Sequence, residues 1–186
     1  MATRRTLLAL RDAMSAEQRA VASAAICDAA NAVLAERLSP GAVVSMYAAK
    51  GSEVNTAQLD ELARARGWTV AYPRVISGTH ELAFHAVTAD ELAPSRFGLQ
   101  EPSADARALA VTEIAAFVVP GLAFDRSGGR IGWGRGHYDA TFAVASPGAL
   151  RIGLAYECQL IDQVVREPHD VALHIIITEV ATYRVA

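Results

Sequence analysis

Ile114-Ala115-Ala116-Phe117-Val118-Val119, followed at once by Pro120-Gly121-Leu122-Ala123-Phe124-Asp125-Arg126-Ser127-Gly128-Gly129-Arg130-Ile131-Gly132-Trp133-Gly134-Arg135-Gly136-His137-Tyr138-Asp139, is the stretch on which the fold turns. Its first six residues form the most hydrophobic run of strand length in the chain. A continuous apolar run, rather than an alternating one, predicts a strand covered on both faces, at the centre of a parallel sheet. The second part holds five glycines and two arginines between Gly128 and Asp139. Glycine permits positive φ and a close approach of backbone N–H groups to a ligand. Consecutive N–H groups in one concavity bind anions, and Arg130 and Arg135 add charge suited to phosphate. Asp139 offers a hard oxygen for Mg²⁺. The loop has neither Walker A nor dinucleotide-fingerprint spacing. The residues alone leave two readings, an anion site or a surface loop whose glycines serve turns.

Working outward, residues 3–14 and 16–38 read as helices, separated by a capping box of Ser15 and Gln18. Ser39-Pro40-Gly41 ends the second helix, and residues 42–47 form a strand. Asn55 is the expected cap of a helix that stops at Gly67. Residues 68–72 and 81–87 read as strands, 94–110 as an irregular excursion. A helix is expected to start near His137, with further strands at 151–156, 173–178 and 182–185. Alternating strands and helices predict one α/β domain over residues 1–186, a mainly parallel sheet with helices on both faces. Ligands of such folds sit beyond the carboxyl ends of the strands. The loops 48–56, 73–79, 120–139 and 156–159 would share that edge.

The chain has 186 residues, 52% hydrophobic and 20% charged, with a net charge of −3. This is ordinary for a globular enzyme and argues against nucleic acid as a partner. No apolar run is long enough to span a membrane, and Arg11-Asp12 cuts the first one too short for a signal peptide. Cys27 and Cys158 lack metal or redox spacing and read as reduced, mostly buried thiols of a cytoplasmic protein. His169 and His174, five apart, miss the spacing of a helical metal pair.

The long glycine string resembles the signature of the 5-formyltetrahydrofolate cyclo-ligase family, also called methenyltetrahydrofolate synthetases. Arg4 to Arg19 is similar to that family's basic first helix and Ser-x-Glu-x-Arg. Lys50-Gly51-Ser52-Glu53-Val54-Asn55-Thr56 resembles its Lys-Gly-Glu-Val-Asp-Thr with one residue more. Tyr72-Pro73-Arg74-Val75, Phe97-Gly98-Leu99-Gln100-Glu101-Pro102, Gln159, Glu167-Pro168-His169-Asp170 and Ile177-Thr178-Glu179 follow in the family's order.

The resemblance implies a three-layer α/β fold of the sugar-phosphate isomerase and coenzyme A transferase type. It implies MgATP-dependent cyclisation of 5-formyltetrahydrofolate, with or without a polyglutamate tail, to 5,10-methenyltetrahydrofolate. The γ-phosphoryl group activates the formyl oxygen, N10 attacks that carbon, and phosphate leaves. The substrate carries both nucleophiles, so alignment and charge neutralisation are what the protein supplies. By the same resemblance Arg130, Arg135 and His137 act in catalysis. Arg4, Arg5, Arg130, Gly132, Trp133, Gly134, Arg135, Gly136, His137 and Tyr138 contact ATP. Glu53, Trp133, Gly134, Arg135, Gly136 and His137 contact folate, and Trp133 and Tyr138 offer it ring surfaces. Asp139 and Asp170 hold Mg²⁺. The family carries a Lys four residues before the position of Arg4, ahead of Met1; either the start is misassigned, or this part of the ATP site is missing or replaced by Arg5. His137 and Ala140 stand where the family has Tyr and Arg. A monomer is expected. The rivals are a folate- or nucleotide-binding paralogue without turnover and ATP-independent isomerase or transferase chemistry.

Overall fold

The computed structural model describes residues 4–95 and 98–185. Residue 3, the expected start of the first helix, and Phe97 of the Phe97–Pro102 motif lie outside them. In chain order the elements are α1 (Arg4–Asp12), α2 (Ala16–Arg37), β1 (Val43–Ser45), α3 (Ala57–Ala65), β2 (Thr69–Val75), β3 (Leu82–Ala86), β4 (Ala93–Pro94), β5 (Gln100–Glu101), β6 (Ala108–Leu109), β7 (Ile114–Val119), β8 (Ala123–Phe124), β9 (Arg130–Ile131), α4 (His137–Val144), β10 (Leu150–Leu154), β11 (Ile175–Ile177) and β12 (Thr182–Arg184).

The main sheet has eight strands in the order β12-β11-β10-β7-β1-β2-β3-β6. The five inner strands from β11 to β2 are parallel; β12 and β3 run against them, and β6 pairs antiparallel with β3 at the edge. β7 lies at the centre, as its apolar run requires. Ala116 and Val118 join the cluster under α2 and α3, while Phe117 and Val119 join the cluster on the other face with Phe142 of α4. Both faces are therefore covered, which makes three layers. Each fully buried Val, Ile or Phe of this kind contributes roughly 1.5–3 kcal/mol. Edge-to-face contacts from Phe84 to Phe117 and from Phe117 to Phe142, at 5.7 and 5.6 Å, pin α4 to the sheet.

The Ser15–Gln18 capping box is present: Gln18 N donates to Ser15 Oγ at 3.1 Å, and Ser15 N to Gln18 Oε1 at 2.8 Å. The structure corrects several details. The residue preceding α3 is Thr56, and Asn55 instead accepts from Ala57 N through Oδ1 at 3.0 Å, a side-chain turn one residue early. β2 runs on through Pro73 to Val75, because it continues as a hairpin arm against β3. The 94–110 excursion contains β6, which extends the main sheet. The glycine stretch is not one loop, since β8 and β9 pair within it.

β1 and β7 are parallel neighbours whose connections leave in opposite directions, β1 through α3 to β2 and β7 through α4 to β10. This is a topological switch point, where an open α/β sheet leaves a crevice beyond its carboxyl ends. The segments 46–56 and 120–136 flank that crevice.

Candidate functional site

The glycine segment begins with a turn built around Asp125, which is 1% exposed. Its Oδ1 accepts from Ser127 N at 2.9 Å, Ser127 Oγ at 2.7 Å and Gly129 N at 2.9 Å, and its Oδ2 from Val164 N at 2.7 Å. Burial pushes this carboxyl up, but these donors outweigh it and hold it below its ordinary value. Gly128 has φ +85°, and a Cβ there would collide with the Leu173 carbonyl oxygen. The turn fixes the direction in which Arg130 leaves. Asp125 has no role in the sequence reading, although an Asp two residues before Ser-Gly-Gly is the local signal of a side-chain-capped turn.

Arg130 then meets the two acidic motifs. Its Nη2 lies 3.4 Å from Asp139 Oδ2, and its guanidinium stacks 5.2 Å from the centre of the Tyr138 ring. Burial lowers its pKa, opposed by the charges of Asp139, Tyr138 and Asp170. Asp139 Oδ1 also accepts from Val171 N at 3.3 Å, and Asp170 Oδ2 from Glu167 N at 2.7 Å. Arg130, Asp139, Arg166 and Asp170 line one small polar recess beside Gly128 and Gly129. Two carboxylates that are 31 residues apart in sequence are thus brought together. Among the described residues no group of three or more His, Cys, Asp or Glu forms a metal cage. Two oxygen donors fit Mg²⁺, which takes one or two carboxylates and completes its shell with phosphate and water.

The rest of the segment curls over the end of α1. Arg4 Nε donates to Gly132 O at 3.0 Å, and a Cβ on Gly134, whose φ is +78°, would lie 2.9 Å from Arg4 Nη2. Arg5 is exposed. Gly136, at φ +66°, precedes the first turn of α4. Asp139 sits inside that turn rather than capping it. His80, at the tip of the β2–β3 hairpin, donates from Nδ1 to Arg135 O at 2.7 Å, and His137 donates from Nδ1 to His80 O at 3.0 Å. His137 Nε2 is buried and has no hydrogen-bond partner among the described residues. Trp133 is 57% exposed, so its ring is available to a ligand. Tyr138 is different: Arg130 lies over its ring at 5.2 Å and Phe142 packs against it at 6.0 Å.

On the other side of the crevice lies a cavity of about 330 Å³, lined among others by Ala48, Glu53, Thr56, Tyr72, Leu92 and Gln100. Glu53 closes the turn Lys50–Glu53, its Oε2 accepting from Lys50 N at 2.9 Å and its N–H bonding to Lys50 O at 3.2 Å. Burial raises the Glu53 carboxyl above its ordinary value, against the pull of the Lys50 N–H and the charges of Arg11 and Lys50. Burial likewise raises the phenols of Tyr47 and Tyr138, and the charge of Glu53 adds to both. Glu53 and the glycine segment therefore act on one another across the crevice.

His174 Nδ1 accepts from Arg151 N at 3.1 Å, and exposed His169 sits 3.6 Å from Glu167. Both cysteines are free; Cys27 is buried, its thiol pushed up to about 11 chiefly by burial, whereas Cys158 is exposed, contrary to expectation. No helix among the described residues is long and apolar enough to cross a membrane.

With this geometry in place, residues 1–179 match the 5-formyltetrahydrofolate cyclo-ligase family. The chain is 40% identical over 88 residues to a 5-formyltetrahydrofolate cyclo-ligase of Mycolicibacterium smegmatis, covering 47% of this chain and 45% of that protein. It is 29% identical over 134 residues to one of Haemophilus influenzae, covering 70% and 72%. The chain thus spans less than half the length of the first relative. Two solved 5,10-methenyltetrahydrofolate synthetases share the fold. That of Mycoplasma pneumoniae has a TM-score of 0.78 at 24% identity, covering 95% of this chain and 96% of that one. That of Aquifex aeolicus has 0.80 at 24%, covering 97% and 90%. The chain belongs to the 5-formyltetrahydrofolate cyclo-ligase family.

Proposed function

We propose that this protein catalyses the cyclisation of 5-formyltetrahydrofolate to 5,10-methenyltetrahydrofolate with MgATP, releasing ADP and phosphate. The observation that carries this reading is the meeting, at one switch point, of an Arg- and Asp-lined glycine segment with the Glu53 cavity. The reaction needs an anion cradle and a heterocycle pocket side by side, and no protein nucleophile.

In this reading the segment from Gly132 to Gly136 wraps the ATP phosphates with backbone N–H groups, and Arg4, Arg130 and Arg135 offset their charge. Arg5 lies one residue along the same helix. Asp139 and Asp170 would hold Mg²⁺, which would further neutralise the phosphates. His137, held by its Nδ1 bond to His80 O, lies beside the place of the transferring group. Glu53 accepts hydrogen bonds from the pterin N–H groups, and Trp133 covers the folate. The rigid seat of α4 on Phe117 holds the two halves in register, which is the main protein contribution to such chemistry. We place the protein in the cytoplasm as a monomer.

Absorbance in the methenyl-folate band, followed with 5-formyltetrahydrofolate in the presence and absence of ATP, tests the reading. Growth of the band only with MgATP is expected. Folate binding without turnover would instead identify a binding paralogue, and turnover without ATP would point to isomerase- or transferase-like chemistry.

A further inference from the structure

Arg11, on the inner face of α1, is 3% exposed. Its Nε donates to Ser52 Oγ at 2.9 Å, and its Nη1 to Gly121 O at 3.3 Å. Ser52 Oγ in turn donates to Asp12 Oδ1. The Gly121 carbonyl also accepts from Gln159 Nε2 at 2.8 Å. One buried guanidinium therefore joins three segments that are distant in sequence, its own helix and two others. They are α1, which brings Arg4 onto the glycine segment, the Lys50–Glu53 turn, and the chain leaving β7. A buried cation is costly unless paired and hydrogen-bonded, so this arrangement demands a purpose that packing alone does not supply.

We infer that Arg11 is a positioning residue for the folate half of the site: it fastens the turn that carries Glu53 to the exit of β7, so that the acid is presented beside the glycine segment. The inference rests on the reading of Glu53 as a folate contact. The geometry sets the order of events. Without Arg11, Ser52 and Gly121 lose their common partner, and the link between the Glu53 turn and the exit of β7 is broken, although Ser52 still bonds Asp12 and the Tyr156 hydroxyl still donates to Glu53 O at 3.3 Å.

Electrostatics support the same role. The charged and titratable groups acting on Glu53 are Lys50 from its own turn, Arg11 from α1, Tyr47 from the end of β1 and Tyr138 from α4. Burial pushes the Glu53 carboxyl up, while Lys50 and Arg11 oppose it. An acceptor for pterin N–H groups must be ionised, and Arg11 favours that form.

The test uses the full chain with Arg11→Gln, Arg11→Lys and Ser52→Ala, measuring folate binding by tryptophan fluorescence, KM for both substrates, kcat and Tm. Arg11→Gln is expected to weaken folate roughly tenfold while ATP KM stays within about twofold, the loss of charge-assisted hydrogen bonds being confined to one half of the site. Arg11→Lys keeps the charge without the fork and should recover part of the loss. Ser52→Ala should weaken folate less, in the same direction. The acid limb of folate affinity should move to higher pH in Arg11→Gln and stay in place in Ser52→Ala. If Arg11→Gln does not fold, the Lys and Ser52 variants decide by the same criteria. Wild-type folate affinity in the folded variants would overturn the inference. So would proportional loss of Tm, kcat and affinity for both substrates, which is the mark of packing alone. A wild type that binds folate but does not cyclise it leaves Arg11 testable and removes the proposed activity; a wild type that binds no folate removes both.

Discussion

The His137 ring donates to the carbonyl of His80, whose own ring donates to the carbonyl of Arg135. A carbonyl only accepts, so both rings carry their proton on Nδ1. The hairpin tip thereby grips the glycine segment at the two residues flanking Gly136. His80→Ala removes one of these bonds, worth about 1 kcal/mol net. ATP is expected to bind roughly fivefold more weakly, and trypsin to cleave faster after Arg135. His80→Asn, whose amide N–H occupies the place of Nδ1, should restore both. Unchanged cleavage and ATP affinity in His80→Ala would show that the segment holds its shape without the hairpin.

Asp139 and Asp170 predict different consequences although both are read as Mg²⁺ ligands. Asp139 also neutralises Arg130, whose side chain is only 11% exposed, and accepts the Val171 N–H. Asp139→Ala leaves that cation unpaired and should cost about 1–3 kcal/mol of stability. Among the described residues Asp170 bonds the nearby Glu167 N–H and His169 and acts on Arg130 at longer range than Asp139 does, so Asp170→Ala should lower Tm less than Asp139→Ala. Both variants should lose most of their turnover and need more Mg²⁺. Thermal unfolding beside a Mg²⁺ titration checks this; full activity of both at limiting Mg²⁺ removes them from the metal site.

What could be read from the sequence was what depends on local pattern. The run Ile114–Val119 announced a central strand because every one of its residues is apolar, and Ser15 with Gln18 announced a helix start because the two side chains serve each other's backbone. The glycine segment could be read because its residue types suit only a few purposes. What escaped is what depends on distant partners. Arg11 finds Ser52 across 41 residues and His80 finds Arg135 across 55, and no periodicity encodes either pairing. Nothing in the local sequence shows that Arg130 lies over the Tyr138 ring; only the fold brings them together. β6 was missed because two residues, Ala108 and Leu109, carry too little pattern to signal a strand.

Gly134 tests whether Arg4 belongs to the phosphate site. A side chain at φ +78° is strained by about 1–2 kcal/mol. The added Cβ of Gly134→Ala would also press on Arg4 Nη2, the free end of a flexible side chain, which must swing away. ATP KM should rise, and Arg4→Ala should do the same. The double variant should be no worse than the more affected single one, since both remove the same contact. Additive losses in the cycle would mean that Gly134 and Arg4 act independently.

Glu53 sets stability against function. Its carboxyl is held above the ordinary glutamate value chiefly by burial. The folded state therefore binds its proton more tightly than the unfolded state does. In the window between the two pKa values the native form carries the extra proton, so stability falls as pH rises through that window and stays lower above it. Glu53→Gln removes the buried charge and should make the protein more resistant to urea at neutral pH than wild type. The difference should shrink on acidification, as the wild-type carboxyl takes up its proton. Folate affinity runs the other way. The ionised carboxylate is the acceptor for pterin N–H groups, so wild-type affinity should decline on the acid side at a higher pH than an exposed glutamate would give, and Glu53→Gln should bind weakly at every pH with that limb flattened. Urea unfolding and folate titration across the same pH series measure both. A variant no more stable than wild type at neutral pH, with the acid limb intact, would show that another group titrates and that Glu53 is not the acid facing the folate.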